Sequence, residues 1–226
     1  MAGASIEMRG IMLEVEHLCI HGPDFELFED LSFRVPPGAV LPLMGPSGCG
    51  KSTLLACISG VLPTAFNYTG TISLNGSKLD SVPVEERRIG ILFQDDLLFP
   101  HMTVAENLMF GIPARIRRAQ RIGQALAALK AVSMEAFTHR RVTTLSGGQK
   151  ARVSLMRTLL SKPKAMLLDE PFSRLDRELR TSFRELVFSK IRAMGVPTIL
   201  VTHDHEDLPP GVEPILLRPP EKKHAG

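Results

Sequence analysis

The sequence predicts an α/β domain with a mainly parallel sheet. Short apolar runs alternate with helical segments, which is the pattern of parallel strands joined by crossover helices. One junction is a glycine-rich loop, GPSGCGKST, between a strand-like run and a helical run. Residues at roughly 95–160 have a mostly helical pattern and predict an inserted helical subdomain. We expect a single domain over about 12–218, with terminal extensions at 1–11 and 219–226.

The first third of the chain predicts an antiparallel β subdomain. Residues 12–20 and 27–35 alternate in polarity and flank a turn at Gly22 and Pro23. The strand pattern begins near Met12, so the residues before it are either a loose extension or lie upstream of the true start. The later elements that the pattern predicts are a strand at 40–44, a helix at 51–59, strands at 71–76 and 89–94, helices at 103–110 and 115–135, a helix that begins at Ser146, a strand at 164–169, a helix at 177–194 and a strand at 197–203.

The helical segment at 115–135 carries an apolar stripe with a period of 3.6 residues. Its members are Ile122, Ala125, Leu126, Leu129 and Val132. A stripe of this width is typical of a helix that packs on a protein core. We therefore predict that the five residues face the interior and bind no ligand.

Composition excludes several classes of protein. The chain has 226 residues, 44% of them hydrophobic, which is enough for one large domain. No apolar run reaches the length of a membrane span, and the N-terminus lacks the apolar core of a signal peptide. Three sparse cysteines indicate a reducing compartment. We expect a cytoplasmic protein that reaches the inner face of the membrane only through a partner.

The glycine-rich loop predicts a nucleotide site. It matches G-x-x-x-x-G-K-[ST] in full and has the required context of a strand before it and a helix after it. The loop consists of Gly45, Pro46, Ser47, Gly48, Cys49, Gly50, Lys51, Ser52 and Thr53. Its backbone N–H groups would wrap phosphates at a helix N-terminus. Lys51 would contact the β- and γ-phosphates and Ser52 would bind Mg²⁺, so a P-loop NTPase core is predicted. The loop alone is compatible with a kinase, a GTPase or a motor ATPase, and the LSGGQ motif at 145–149 favours an ATPase.

Two acids end an apolar strand later in the chain. Asp169 and Glu170 follow the run MLL, and ligands bind at the carboxyl edge of parallel sheets. Asp169 would reach the Mg²⁺ and Glu170 would polarise a water towards the γ-phosphate. An acidic strand end that caps the next helix would be the simpler interpretation without the nucleotide loop.

A second anion-binding motif opens another helix. Ser146, Gly147, Gly148 and Gln149 stand at a predicted helix N-terminus, where N–H groups favour negative charge. One domain holds its ATP in one place, so this motif predicts a second copy of the chain. In a head-to-tail pair each motif would cap the γ-phosphate held by the other copy, and the two-fold axis would generate two equivalent sites.

Several motifs follow one another in a recognisable order. They are GPSGCGKST at 45–53, Gln94 after an apolar strand, LSGGQ at 145–149, LLDEP at 167–171, SRLD at 173–176 and His203 after a strand. In this order they resemble ATP-binding cassette (ABC) ATPases over nearly the whole predicted domain. The resemblance implies an ATP hydrolase with a P-loop core, an antiparallel β subdomain and an inserted helical subdomain.

The resemblance also assigns roles to three further residues. It implies that Gln94 binds Mg²⁺ and the attacking water and links the site to the helical subdomain. It implies that Asp176 contacts the facing protomer, and that His203 contacts the γ-phosphate and holds Glu170 and water in register. From the residues alone, Gln94 would be an ordinary exposed polar residue and His203 a cap at a strand end.

The resemblance narrows further to transport. FQDDLLFPHMTVAENLMFG at 93–111 is similar to bacterial importers that work with a periplasmic or lipid-anchored solute-binding protein, and ILFQDDLLF with DEPFSRLD resembles YnjD-type ATPases. Membrane permease subunits would then dock near 95–101. The alternatives are the ATPase of an exporter and a soluble ABC clamp on nucleic acid or ribosomes. A net charge of +3 leads us to expect no nucleic acid.

Two positions depart from the family pattern. The family stacks adenine on an aromatic residue near the end of the first strand, where this chain has His21 with Phe25 close by. Either side chain could stack on the base. Arg174 stands where a small residue is common, and it could pair across the dimer seam or face solvent. We expect it to face solvent.

Overall fold

Two five-stranded sheets form the framework of the chain. The computed structural model describes residues 10–23, 25–219 and 221–222, the last two by their backbone. Most of the predicted extension at 1–11 therefore lies outside the described residues. The strands are β1 (Leu13–His21), β2 (Phe25–Val35), β3 (Val40–Met44), β4 (Asn67–Leu74), β5 (Ser77–Lys78), β6 (Ile89–Leu92), β7 (Ala165–Asp169), β8 (Thr198–Thr202), β9 (Ile215–Leu216) and β10 (Glu221–Lys222). The helices are α1 (Lys51–Ser59), α2 (Val84–Arg87), α3 (Val104–Gly111), α4 (Arg118–Lys130), α5 (Gly147–Leu160) and α6 (Arg177–Met194).

One sheet is parallel and has the strand order β6-β7-β8-β3-β9. Its central strands are buried, and Leu167, Leu168, Ile199 and Leu200 are inaccessible to solvent. Strands covered on both faces are near-continuous apolar runs, as the sequence of β7 and β8 shows. The α/β class with a mainly parallel core is thereby confirmed. All five strands point the same way, so the segments that follow them meet at one edge.

The other sheet is antiparallel, with the order β10-β2-β1-β4-β5. It confirms the predicted antiparallel subdomain. The strand predicted at 71–76 is observed as β4, which begins earlier, at Asn67, and ends earlier, at Leu74. It ends there because Asn75 and Gly76 have positive φ angles of 53° and 74° and form a turn. Within the predicted extension at 219–226, the backbone at 221–222 pairs with the start of β2.

The inserted helical subdomain contains α3, α4 and the following α5. Thr103 and Glu106 form a capping box at the start of α3. The apolar stripe of α4 is only partly confirmed. Ala125, Leu129 and Val132 are buried in the core that α3 and α5 share. Ile122 and Leu126 are 40% and 43% exposed, so their predicted burial is wrong. Helix α4 is covered on one side only, and the stripe is wider than that contact.

No helix among residues 10–23, 25–219 and 221–222 is long and apolar enough to span a membrane.

Candidate functional site

The candidate site lies at the carboxyl edge of the parallel sheet. The nucleotide loop follows β3, and Asp169 and Glu170 end or follow β7. His203 follows β8, which lies between β3 and β7 in the sheet. Connections at this edge leave a crevice in which ligands of α/β proteins bind. The nucleotide loop lies more than a hundred positions before Asp169, Glu170 and His203 in the chain. The order of the strands in the sheet brings the loop and these three residues together.

The nucleotide loop is held open by glycine backbone conformations. Gly48 and Gly50 have φ angles of 82° and 91°, which side-chain-bearing residues rarely adopt. A Cβ added at Gly48 would meet no atom within 4 Å, so the concave side of the loop is free space. The ammonium of Lys51 donates hydrogen bonds to the carbonyls of Gly45 and Pro46, at 2.8 and 2.9 Å. These two hydrogen bonds hold the Lys51 side chain against the nucleotide loop, at the N-terminus of α1.

A hydroxyl and a carboxylate from distant segments meet beside the loop. Ser52 Oγ donates to Asp169 Oδ2 at 3.3 Å. Burial raises the pKa of Asp169, and the Glu170 charge adds to this shift, whereas the Ser52 hydrogen bond and Lys51 oppose it. Mg²⁺ prefers oxygen ligands and usually takes one or two from protein, with the rest from water and phosphate. The donor set of Ser52 and Asp169 therefore fits Mg²⁺.

Glu170 and His203 contact each other. His203 Nδ1 lies 3.2 Å from Glu170 Oε1. The backbone of Glu170 has a φ of 45°, which is uncommon for a residue with a side chain and stores strain. Its N–H donates to the carbonyl of Val201 at 3.0 Å, which ties it to β8. The carbonyl of Glu170 accepts from the Ser173 hydroxyl at 2.9 Å. These contacts fix the direction of the Glu170 side chain.

A cleft of about 600 Å³ opens over the loop. Its lining consists of Phe25, Leu27, Ser47, Gly48, Gly50, Lys51, Ser52, Thr53, Phe66 and Glu170. The volume lies within the range of small-molecule sites. Cys49 belongs to the loop but is fully buried beneath it. The cleft thus joins a phosphate-binding floor, one acid and two aromatic rings.

Two aromatic rings form one wall of the cleft, and one of them is Phe25, which the sequence offers together with His21 as a candidate for stacking on the base. Phe25 and Phe66 contact edge to face, with centroids 6.1 Å apart, and both line the cleft. His21 is outside the lining, and its Nδ1 lies 3.0 Å from the Glu26 carboxylate. Phe66 lies in a loop before β4, and no motif in the sequence marks it as a site residue.

The second anion-binding motif caps α5. Gln149 N–H donates to Ser146 Oγ at 3.4 Å, and Ser146 N–H donates to Gln149 Oε1 at 3.0 Å. A Cβ at Gly147 would meet nothing within 4 Å, whereas Gly148 packs against Leu179 of α6. None of the four motif residues lines the cleft. The structure therefore presents this helix start as a second, separate N–H surface on the same chain.

Gln94 and Asp176 lie outside the cleft lining. Gln94 is exposed and stands two residues past the end of β6, because that strand ends at Leu92 and not at 94 as predicted. Asp176 caps α6 by accepting a hydrogen bond from the Leu179 N–H at 3.0 Å. Arg174 is exposed, as expected, and it also pairs with Asp95 of the same chain.

Known proteins were compared with the chain. The model of a family described as "ABC transporter" matches residues 28–173. An uncharacterised ABC transporter ATP-binding protein, YnjD, from Escherichia coli strain K12 is 46% identical, over 88% of this chain and 91% of that protein. The spermidine/putrescine import ATP-binding protein PotA of Nitratidesulfovibrio vulgaris is 39% identical over 89% of this chain. The Fe(3+) ions import ATP-binding protein FbpC 3 of Rhodococcus jostii is 43% identical over 80% of it.

The extent of these matches differs. The match to YnjD runs nearly end to end in both proteins. The chain spans about half the length of the PotA and FbpC 3 relatives, 52% of each. The family match includes the nucleotide loop, the LSGGQ motif and the acid pair whose geometry is described above. The chain therefore belongs to the ABC transporter family and is one of its ATP-binding ATPases.

Proposed function

We propose that the chain is the ATP-hydrolysing subunit of a solute importer and works as a head-to-tail dimer. The observation that carries the proposal is the separation of its two phosphate-binding surfaces. The nucleotide loop floors the cleft, and the N-terminus of α5 takes no part in the lining of that cleft. A second copy would bring its own α5 start to the γ-phosphate, so each site would need both chains. ATP then joins the dimer and hydrolysis releases it.

ATP binding rests on the loop and its helix. The α1 N-terminus offers positive potential, and Lys51 would exchange its carbonyl partners for the β- and γ-phosphates. Ser52 and Asp169 would hold Mg²⁺, which neutralises charge on the phosphates when bound. Gln94, which follows the end of β6, would be a further ligand of the Mg²⁺. Asp176, at the start of α6, would face the second copy beside the LSGGQ motif.

Hydrolysis requires a placed water. Glu170 lines the cleft and would accept the proton of a water aimed at the γ-phosphate. His203 touches the Glu170 carboxylate and would hold it in register while contacting the γ-phosphate itself. The strained φ of Glu170 supports this assignment, since such strain concentrates at functional positions.

Base recognition should depend on the aromatic wall. Phe66→Ala and Phe25→Ala should each weaken ATP binding about five- to thirtyfold, because an aromatic–base contact contributes roughly 1–2 kcal/mol. His21→Ala should change affinity by less than about twofold, since the imidazole faces Glu26. Titration with a fluorescent ATP analogue measures all three. A large loss with His21→Ala and none with the phenylalanines would instead assign base stacking to His21.

We place the membrane partner at a groove beside α3. A groove of about 420 Å³ contains Leu97, Phe99, Phe110 and Arg157. Phe110 is 60% exposed, and its ring is tilted against that of Phe99 with centroids 4.5 Å apart. The Arg157 guanidinium lies over the Phe99 ring. An exposed aromatic pair with a cation beside it suits an amphipathic helix of another protein. Permease subunits, with a solute-binding protein on the far side of the membrane, are the partners that the importer-type relatives suggest.

Co-purification tests the transport role. Tagged chain is captured from detergent-solubilised membranes, and the recovered proteins are identified by mass spectrometry. We expect one or two multi-spanning permeases with the parent chain and a loss of about tenfold or more with Phe110→Asp. Leu216→Asp is the matched control, since Leu216 is 69% exposed on β9 and lies outside the groove. Recovery of only soluble proteins or nucleic acid would overturn the importer assignment.

A further inference from the structure

An ion pair joins the segment after Gln94 to the segment after Glu170. Arg174 contacts the carboxylate of Asp95 through its guanidinium. Asp95 is the residue next to Gln94, and Arg174 stands in the turn that follows Glu170 directly. The two segments belong to different strands of the parallel sheet, β6 and β7, which are neighbours. The ion pair therefore links the loop that follows β6 to the turn that follows β7.

The loop at 93–98 is anchored on its other side by α5. The Ser154 hydroxyl donates to the carbonyl of Asp96 at 2.9 Å. Arg157 donates to the carbonyl of Leu97 at 2.8 Å, and Leu97 has a φ of 45°. These bonds fix the backbone after Asp95. Asp95, which precedes this anchored stretch and follows Gln94 directly, is held by Arg174.

The turn that carries Arg174 is also rigid at its base. Phe172 is fully buried and packs edge to face on Phe183 and Phe188 of α6. The Ser173 N–H and hydroxyl both donate to the carbonyl of Glu170, at 3.3 and 2.9 Å. These contacts fix the backbone between Glu170 and Ser173. A displacement of the adjacent Arg174 would therefore be expected to shift Glu170.

Other charges near the pair do not replace it. Asp96 faces Lys150, Arg157 and Arg174, but it is half-buried, and burial raises the pKa of its carboxyl. Asp95 and Arg174 are each 59% exposed. Exposed pairs contribute little to the stability of a fold and weaken with salt. The effect of this pair should therefore fall on the position of the loop and not on unfolding.

We propose that the Asp95–Arg174 pair is a positioning device that holds Gln94 and Glu170 in register within one chain. This inference rests on the proposed roles of those two residues. Neither Asp95 nor Arg174 needs to touch the nucleotide. Breaking the pair would let the loop with Gln94 move relative to the Glu170 turn, so the chemical step would slow while the cleft and its aromatic wall stay intact.

The test is a charge cycle on the full chain, read by steady-state ATP hydrolysis at low salt. Asp95→Asn and Arg174→Gln should each lower kcat about fivefold and leave KM for ATP within about twofold, because an exposed pair carries up to about 1 kcal/mol, equal to that fold-change. The double variant should lose no more than either single one. The exchange Asp95→Arg with Arg174→Asp should recover most of the loss. In high salt the kcat of the parent should fall towards that of the variants.

The control is Arg34→Gln, which breaks the ion pairs of another exposed arginine, with Glu14 and Glu16 on the antiparallel sheet. It should leave kcat unchanged. Parent-like single variants, additive losses, or a fall in Tm with each single variant would overturn the proposal. So would a loss with Arg174→Gln alone, since that would place the partner of Arg174 on the facing copy. Glu170→Gln separates the failures: if it hydrolyses ATP at the parent rate, the assignment of Glu170 as the base is wrong, and the pair has no base to position.

Discussion

Glu170→Gln is expected to bind ATP like the parent chain and to lose about 10²–10⁴-fold in turnover. The amide keeps the shape of the side chain but cannot accept a proton from water. Its contact with His203 at 3.2 Å can persist as a neutral hydrogen bond, so the local geometry should survive. The loss should therefore appear in kcat and not in the affinity for nucleotide.

The same variant tests the proposed dimer. If hydrolysis releases the head-to-tail pair, a chain that binds ATP without cleaving it should accumulate as the closed pair. Size-exclusion chromatography with light scattering, with and without Mg-ATP, measures this directly. Glu86→Gln is the control, because Glu86 is an exposed acid of α2 away from the cleft. Hydrolysis by Glu170→Gln at the parent rate would refute the assignment of the base.

Local signals predicted the elements whose ends carry their own caps. Helix α6 runs over Arg177–Met194 as expected, because Asp176 caps its start and Gly195, with a φ of 62°, ends it. Helix α1 ends equally sharply at Gly60, with a φ of 88°. The strand ending at Leu92 has no such signal, since Phe93 continues its apolar pattern. Propensity alone cannot locate that boundary.

The site was predicted where a motif fixes both the backbone and the chemistry. The nucleotide loop needs glycines at positive φ, and its spacing specifies the lysine and the hydroxyl. The aromatic wall has no comparable rule. Phe66 reaches Phe25 through the packing of a loop on the β1–β2 hairpin, and the pairing of Arg174 with Asp95 joins separate segments. Such contacts depend on tertiary structure, so one sequence does not reveal them.

Lys51→Ala should reduce ATP affinity by about 30-fold to several thousandfold, the equivalent of roughly 2–5 kcal/mol for removing one partner of a buried charged contact. Lys51 is only 9% exposed, and its ammonium is already held at the loop by the hydrogen bonds that it donates to the carbonyls of Gly45 and Pro46. No other cation lines the cleft among the residues described. Isothermal titration with ATP measures the loss, and thermal unfolding reports whether the loop alone has loosened.

Lys78→Ala is the matched control for charge, since Lys78 is an exposed lysine on β5 of the antiparallel sheet. It should bind ATP like the parent. A Lys51→Ala protein that retains parent affinity would mean that backbone N–H groups and the α1 N-terminus hold the phosphates without the ammonium. The variant Lys51→Arg separates the effect of charge from that of side-chain shape. The guanidinium keeps the positive charge, but it is broader than the ammonium that donates to the carbonyls of Gly45 and Pro46. ATP affinity should therefore still fall. Binding restored by arginine would reduce the role of Lys51 to simple charge neutralisation.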